Sequence, residues 1–320
     1  MSKSFVLLLL AGCVAPDAGN PDAANREAPT PAATAPLAAL PERRHGHRIE
    51  RVAGGYLCIG GHPRGAGTER GPHQTLWLAD GDDTWRRRAD CPQPHTFFGS
   101  GVHAGDVVAI GASVERYDAA TDRWHQLVPA DGRLPRSHFG ACVLDGSAWV
   151  LGGFPEVATG FHEVDLVTGS VTAHAPPPTF AHGDHFHFVC ALGGELHVLG
   201  GIDSDVSDML REHWVRLDGD WVRIDDCPHG LWAKFTGHVV HRGSLWLLGG
   251  LPGNLSYRYR PDTATWTEHA GPPAQAAMPV AVAAGDALWI VGGMPIEGRS
   301  NILWRYDLAT DTWDARSASM

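Results

Sequence analysis

The densest group of ionisable side chains in this 320-residue chain is His182-Gly183-Asp184-His185-Phe186-His187. Imidazoles beside a carboxylate suit zinc, iron or copper, and equally suit proton transfer or hydrogen bonding to a polar ligand. On an extended strand His185 and His187, two residues apart, project to the same side. A stable metal site needs three or four converging donors, which a second segment would have to supply. Hydrogen bonding within a polar channel mouth is therefore the reading adopted, with no metal assigned. His95, Arg136, His138 and Lys234 are the companions of this cluster. All of them, with Asp184, His185 and His187, lie 13 to 16 residues ahead of a recurring glycine pair described below. Lys234 is the one lysine besides Lys3, and its ammonium fits a sugar acid or a peptide carboxylate.

Several other chemistries lack their patterns. His162-Glu163 starts like a helical zinc-protease motif, but Leu166 replaces the second histidine. No strained serine elbow and no phosphate-cradling glycine loop occurs, and no cofactor is implied. The formal charge of −11 leaves no basic footprint for nucleic acid. Five cysteines follow Cys13, namely Cys58, Cys91, Cys142, Cys190 and Cys227. An odd number cannot pair completely within one chain, and they are read as small buried hydrophobes.

The elements that would position the cluster come from internal repetition. Apolar runs close on Gly60-Gly61, Gly152-Gly153, Gly200-Gly201, Gly249-Gly250 and Gly292-Gly293, with Gly111-Ala112 as a degenerate sixth copy. Spacings of this size fit one four-stranded propeller blade each. Seven and six residues before each pair stands a turn signal: Ala53-Gly54, Ala104-Gly105, Asp145-Gly146, Gly193-Gly194, Arg242-Gly243 and Gly285-Asp286. Two-residue hairpins need positive φ, which such residues tolerate best. Downstream, an aromatic or apolar residue precedes a tryptophan or its substitute by seven positions, as in Tyr117 and Trp124 or Tyr306 and Trp313; in the fourth copy Leu217 and Trp221 are closer. A tryptophan there can pin one wedge-shaped sheet on the next.

This series of glycine pair, aromatic-Asp and tryptophan resembles the kelch repeat. The resemblance implies an all-β, six-bladed kelch-type β-propeller with four antiparallel strands per blade, over residues 44–320. Each repeat reads in phase from inner to outer strand, so blades 1 and 6 are expected to meet by sheet packing alone. Loop length varies on the face carrying the loops between second and third strands and the crossings between blades. That face is the expected recognition surface.

At the N-terminus Lys3, the apolar run Phe5 to Leu10 and Leu10-Ala11-Gly12-Cys13 have the order of a secretion signal. They resemble a bacterial lipobox, which implies a signal peptide over 1–12, a lipidated Cys13 and a membrane partner. Residues 13–43, rich in alanine and proline, read as a disordered tether. Val14 after the cysteine points to the outer membrane, and a monomer anchored in the cell envelope is expected. Kelch propellers include both binders and enzymes, so two functions stay open. One is a binding module for a glycan or a protein, using His95, Arg136, His138, Asp184, His185, His187 and Lys234. The other is a carbohydrate-active enzyme resembling the sialic-acid mutarotases. Galactose oxidase, another kelch protein, has seven blades and a tyrosine radical, and no residue here matches its ligands.

Overall fold

The computed structural model describes residues 37–63, 73–153, 160–178, 180, 186–203, 208–230, 236–249, 254–295 and 301–316. They form six four-stranded antiparallel sheets, each built from one continuous stretch of chain and ordered from inner to outer strand. Blade 1 comprises Arg44–Val52, Gly55–Pro63, Thr75–Ala79 and Arg86–Arg87; blade 2 comprises Gly99–His103, Asp106–Ile110, Val114–Asp118 and Arg123–Val128. Blade 3 comprises Gly140–Leu144, Ser147–Leu151, Phe161–Asp165 and Val171–Ala173. Blade 4 comprises Phe188–Leu192, Glu195–Leu199, His213–Leu217 and Asp220–Arg223. Blade 5 comprises Gly237–His241, Ser244–Leu248, Ser256–Arg260 and Thr265–His269, and blade 6 comprises Val280–Ala284, Ala287–Val291, Leu303–Asp307 and Thr312–Ala315. The six inner strands touch in a closed ring. Among the described residues no α-helix occurs, and no helix is long and apolar enough to cross a membrane.

Local chemistry explains the hairpins. Ala104-Gly105, Asp145-Gly146, Gly193-Gly194 and Arg242-Gly243 all have positive φ at both central positions, the type I′ geometry whose twist matches the flanking strands. The outer hairpins turn on an aspartate. Asp118 accepts from the Ala120 and Thr121 N–H groups at 2.8 and 3.2 Å, and Asp307 accepts from Ala309 and Thr310 at 3.0 and 3.2 Å. Second strands are the most deeply buried, as in Val107 to Ile110, because a sheet lies against each of their faces.

Neighbouring blades are stapled at the rim. The Trp124 indole donates to the Ala89 carbonyl at 3.1 Å, while Asp122 accepts the Ala89 N–H at 2.8 Å and the Tyr117 hydroxyl at 2.6 Å. Ala270 is held in the same way by Trp313 at 2.8 Å and Asp311 at 3.0 Å. Trp221 donates to the Ala175 carbonyl at 3.0 Å. A backbone segment crossing between blades is thus fixed by the outer strand of the blade it enters.

Closure between blades 6 and 1 corrects two expectations. No strand is exchanged, but sheet packing does not act alone, and residues 37–43 are not part of a disordered tether. Leu37 and Leu40 are each 3% exposed and pack with Trp85 and Leu76 of blade 1 and with Val282, Trp289 and Leu303 of blade 6. The Trp85 indole donates to the Ala38 carbonyl at 3.0 Å, as Trp124 does to Ala89. The Asn301 amide donates to the Leu40 carbonyl, just as Asn254 donates to Pro272 one blade earlier. Gly293 N–H then bonds the Arg44 carbonyl at 2.7 Å, matching Gly61 to His95 at 2.8 Å. The segment 37–43 therefore occupies the sixth inter-blade crossing. The leader and residues 14–36 lie outside the described residues.

Candidate functional site

The inner strands enclose a central cavity of about 370 Å³. Its mouth is formed where these strands begin, and there the backbone takes an unusual form. Gly46, Phe97, His138, Phe186 and Met278 immediately precede or open the inner strands of blades 1, 2, 3, 4 and 6, and all have φ between 53° and 67°. Glycine adopts this conformation freely, whereas a bulky side chain in it is strained by about 1–3 kcal/mol. Hydrogen bonds hold the ring: Phe97 N–H reaches the Gly46 carbonyl at 3.0 Å and Phe186 N–H reaches the His138 carbonyl at 2.9 Å. Phe97, His138, Phe186 and Met278 all line the cavity. Phe97 stacks on His138 with centroids 6.0 Å apart and planes 13° apart, and Phe186 meets the other side of the series edge-on at 4.6 Å from His138. His45 and His62 extend the cluster beyond Phe97.

The inner strands also bring polar side chains to the wall. Arg48 and Glu50 alternate on the inner strand of blade 1, with Ser100 of blade 2 and His238 of blade 5 lining the same cavity. Arg48 Nε donates to the Phe98 carbonyl at 2.7 Å, and the Ser100 hydroxyl donates to Glu50 at 2.5 Å. Burial raises the Glu50 carboxyl above the usual carboxylate range, opposed by the Ser100 hydrogen bond and the Arg48 charge. Burial, then the Arg48 charge, pushes the His238 imidazole down to about 3, so it is neutral at pH 7. Small side chains such as Ala141 of blade 3 and Ala281 and Ala283 of blade 6 complete the lining, the last two between Arg48 and His238 in the ring. The arrangement combines an aromatic lip, a fixed cation, a carboxyl and neutral donors and acceptors, which suits a small polar ligand with one apolar face.

The residues singled out from sequence separate into three groups. His138 and His187 line the cavity; His138 is held by Ser137 at 2.8 Å, and His187 bonds the Gly200 carbonyl at 2.8 Å and lies edge-on to Phe180. His95 and Arg136 do not line it. His95 is 2% exposed and turned into the junction of blades 1 and 2, where it meets Glu115 at 2.7 Å, while Arg136 is exposed in the crossing ahead of blade 3. Asp184, His185 and Lys234 lie outside the described residues. Arg48, Glu50, Ser100 and His238 lie on inner strands and not in loops, so loop position does not mark them. Their signal was alternation on inner strands, as in Arg48-Ile49-Glu50. The five described cysteines, Cys58, Cys91, Cys142, Cys190 and Cys227, are unpaired and buried.

No known family description matches the chain. It is similar to Kelch-like protein 25 of Xenopus tropicalis, 23% identical over 252 residues, covering 71% of this chain and 42% of that protein. It is also similar to Kelch-like protein 36 of Bos taurus, 24% identical over 66% of this chain and 36% of the relative. Kelch-like protein 41a of Danio rerio is 28% identical over 123 residues, 36% of this chain and 20% of that protein. The matches thus span less than half the length of these curated relatives. Among solved structures, one titled "Structure of YjhT" superposes with a TM-score of 0.68 at 13% identity, over 88% of this chain and 99% of that one. That likeness concerns the fold alone.

Proposed function

Taking the chain as a kelch-repeat β-propeller, we propose that it is a cell-envelope binding module that takes the end of a glycan into its channel mouth. The carrying observation is the aromatic series Phe97, His138 and Phe186 lining one cavity with Arg48, Glu50 and Ser100. The C–H face of a sugar ring packs on aromatic rings, while its hydroxyls exchange water for buried donors and acceptors. The lipobox-like Cys13 would hold the propeller at a membrane, with the outer membrane favoured by Val14. A sugar acid is the preferred class, because Arg48 is a fixed cation inside the cavity and Lys234 belongs to the same set of strand starts. The test is a glycan array probed with the full chain and with Phe186→Ala and Arg48→Ala. Saturable binding that drops at least tenfold in both variants supports the reading. Binding to no glycan, or binding indifferent to both changes, sinks it.

A second reading, a carbohydrate-active enzyme of the mutarotase kind, rests on Glu50 and His238. A carboxyl raised by burial and an imidazole kept neutral can give and take a proton at a sugar ring oxygen or anomeric hydroxyl. NMR of a bound sugar decides between the two. Anomer exchange accelerated by the wild type and slowed by Glu50→Gln with binding retained would favour the enzyme.

A further inference from the structure

A second cluster of reactive side chains lies away from the channel, beneath the crossing from blade 1 to blade 2. Cys91 and His95 are four residues apart in Cys91-Pro92-Gln93-Pro94-His95, and Glu115 faces them from the third strand of blade 2. One donor atom from each lies within 4.8 Å of the others. The three are 1%, 2% and 0% exposed respectively. From this juxtaposition we propose that Cys91, His95 and Glu115 bind a divalent zinc-like cation that ties blade 1 to blade 2.

The argument begins with Glu115. At the matching position of third strands, blades 1, 4, 5 and 6 carry Leu76, Trp214, Tyr257 and Trp304. A carboxylate there is far costlier to bury than those side chains unless charge and hydrogen bonds compensate it. Only one of its oxygens is served: Oε2 meets His95 Nε2 at 2.7 Å, whereas Oε1 is buried without a hydrogen-bond partner. The third and outer strands of blade 2 also slip register between Val114 and Glu115. Such bulges re-aim a side chain, and here the residue re-aimed is the carboxylate.

The other two donors are equally set. The Cys91 backbone is committed on both sides, its N–H to the His73 carbonyl at 2.7 Å and its carbonyl to His73 Nδ1 at 2.8 Å. The thiol is thereby presented by a fixed backbone. The His95 ring lies 4.9 Å from Phe98, and its backbone carbonyl receives Gly61 N–H. Sulfur, imidazole and carboxylate together suit zinc rather than magnesium or calcium. On binding, the Cys91 S–H bond breaks and its proton leaves to solvent. One thiolate and one carboxylate then neutralise the two positive charges, and Oε1 is available as a fourth donor. The proton shared between His95 Nε2 and Glu115 Oε2 moves to His95 Nδ1, so that Nε2 and the carboxylate exchange their hydrogen bond for two bonds to the metal.

Cobalt(II) is the probe, because a thiolate ligand gives it an intense near-ultraviolet charge-transfer band. The full chain is unfolded with denaturant and chelator, refolded with cobalt chloride, separated from free metal and assayed for cobalt per chain. The expected result is one tightly held cobalt with thiolate charge transfer, displaced by zinc. Cys91→Ser should abolish the band, and Glu115→Gln should weaken binding at least tenfold at unchanged circular dichroism, since even outer partners of metal ligands are worth about 10–100-fold. Should either variant fail to fold, the wild type's thermal midpoint with zinc and with chelator replaces that arm, and equal midpoints count against the site. No retained cobalt, cobalt without the thiolate band, or a band that survives Cys91→Ser overturns the proposal; the last would assign the metal to other residues.

Discussion

Leu40→Ala tests the closure of the ring most directly. Leu40 is 3% exposed at the seam of blades 1 and 6, so truncation removes three carbons from a packed site and costs about 2–5 kcal/mol if the seam stays together. The loss has a ceiling, because segment 37–41 can simply let go. Burying Leu37 and Leu40 contributes roughly 3–6 kcal/mol, and the Trp85 and Asn301 hydrogen bonds add about 1 kcal/mol each. Ordering the segment's backbone costs at least about 5 kcal/mol, which leaves a net docking energy of a few kcal/mol at most. A loss of about 2 kcal/mol is therefore expected, or a thermal midpoint lowered by roughly 3–4 °C for a domain of this size. Circular dichroism measures the midpoint, and limited trypsin digestion at Arg43 and Arg44 reports release of the segment. Val167→Ala, at a residue 80% exposed, is the control and should stay within about 0.5 kcal/mol of wild type. A Leu40→Ala protein with unchanged midpoint and unchanged trypsin resistance would refute the latch.

Acid should destabilise the propeller through its buried imidazoles. Burial depresses His197 to about 4 and His238 to about 3, and holds His47 and His213 well below 6.5. Between those values and 6.5 the unfolded chain binds more protons, so stability rises with pH across that window and is lost as pH falls through it. Glu50, raised in the folded state, acts the other way just above 4.5. The midpoint at pH 5 should lie more than about 5 °C below that at pH 7.5, and a flat profile would show that these histidines are solvated. Trp124→Phe, which deletes the indole donor to Ala89, should cost about 1 kcal/mol in denaturant titration, with no loss if the staple is ornamental. Cys13→Ala should move the protein from the detergent phase to the aqueous phase on partitioning; an unchanged partition would remove the anchor.

The blades were legible because their turns need special backbone and the residues supplying it recur at fixed offsets, as in Asp145-Gly146 and Gly193-Gly194. Of the seven residues read for the channel face, His138 and His187 line the cavity, whereas His95 and Arg136 lie elsewhere and Asp184, His185 and Lys234 fall outside the described residues. What escaped reading follows physical lines. Arg48 and His238 sit on inner strands, which resemble core strands until one knows that their inward side faces a cavity. Phe97, Phe186 and Met278 take a left-handed backbone that nothing about their residue types announces. The seam segment hid in an alanine- and proline-rich stretch, although Ala38-Ala39-Leu40-Pro41 echoes Ala89-Asp90-Cys91-Pro92 in the next crossing. Glu115 stood out only once the third strands could be laid side by side.

The left-handed ring at the mouth sets conformational stability against recognition. At Phe97, His138, Phe186 and Met278 the backbone asks for glycine and the lip asks for a large side chain. Glycine at any of them would relieve on the order of 1 kcal/mol of backbone strain, part of it returned as unfolded-chain entropy. Selection for thermal endurance alone should therefore drift towards glycine at these positions, yielding sturdier propellers with bare mouths. Selection for ligand capture should hold the bulky residues in place against that drift. The residue found at each of these positions in a variant records which pressure has acted on it.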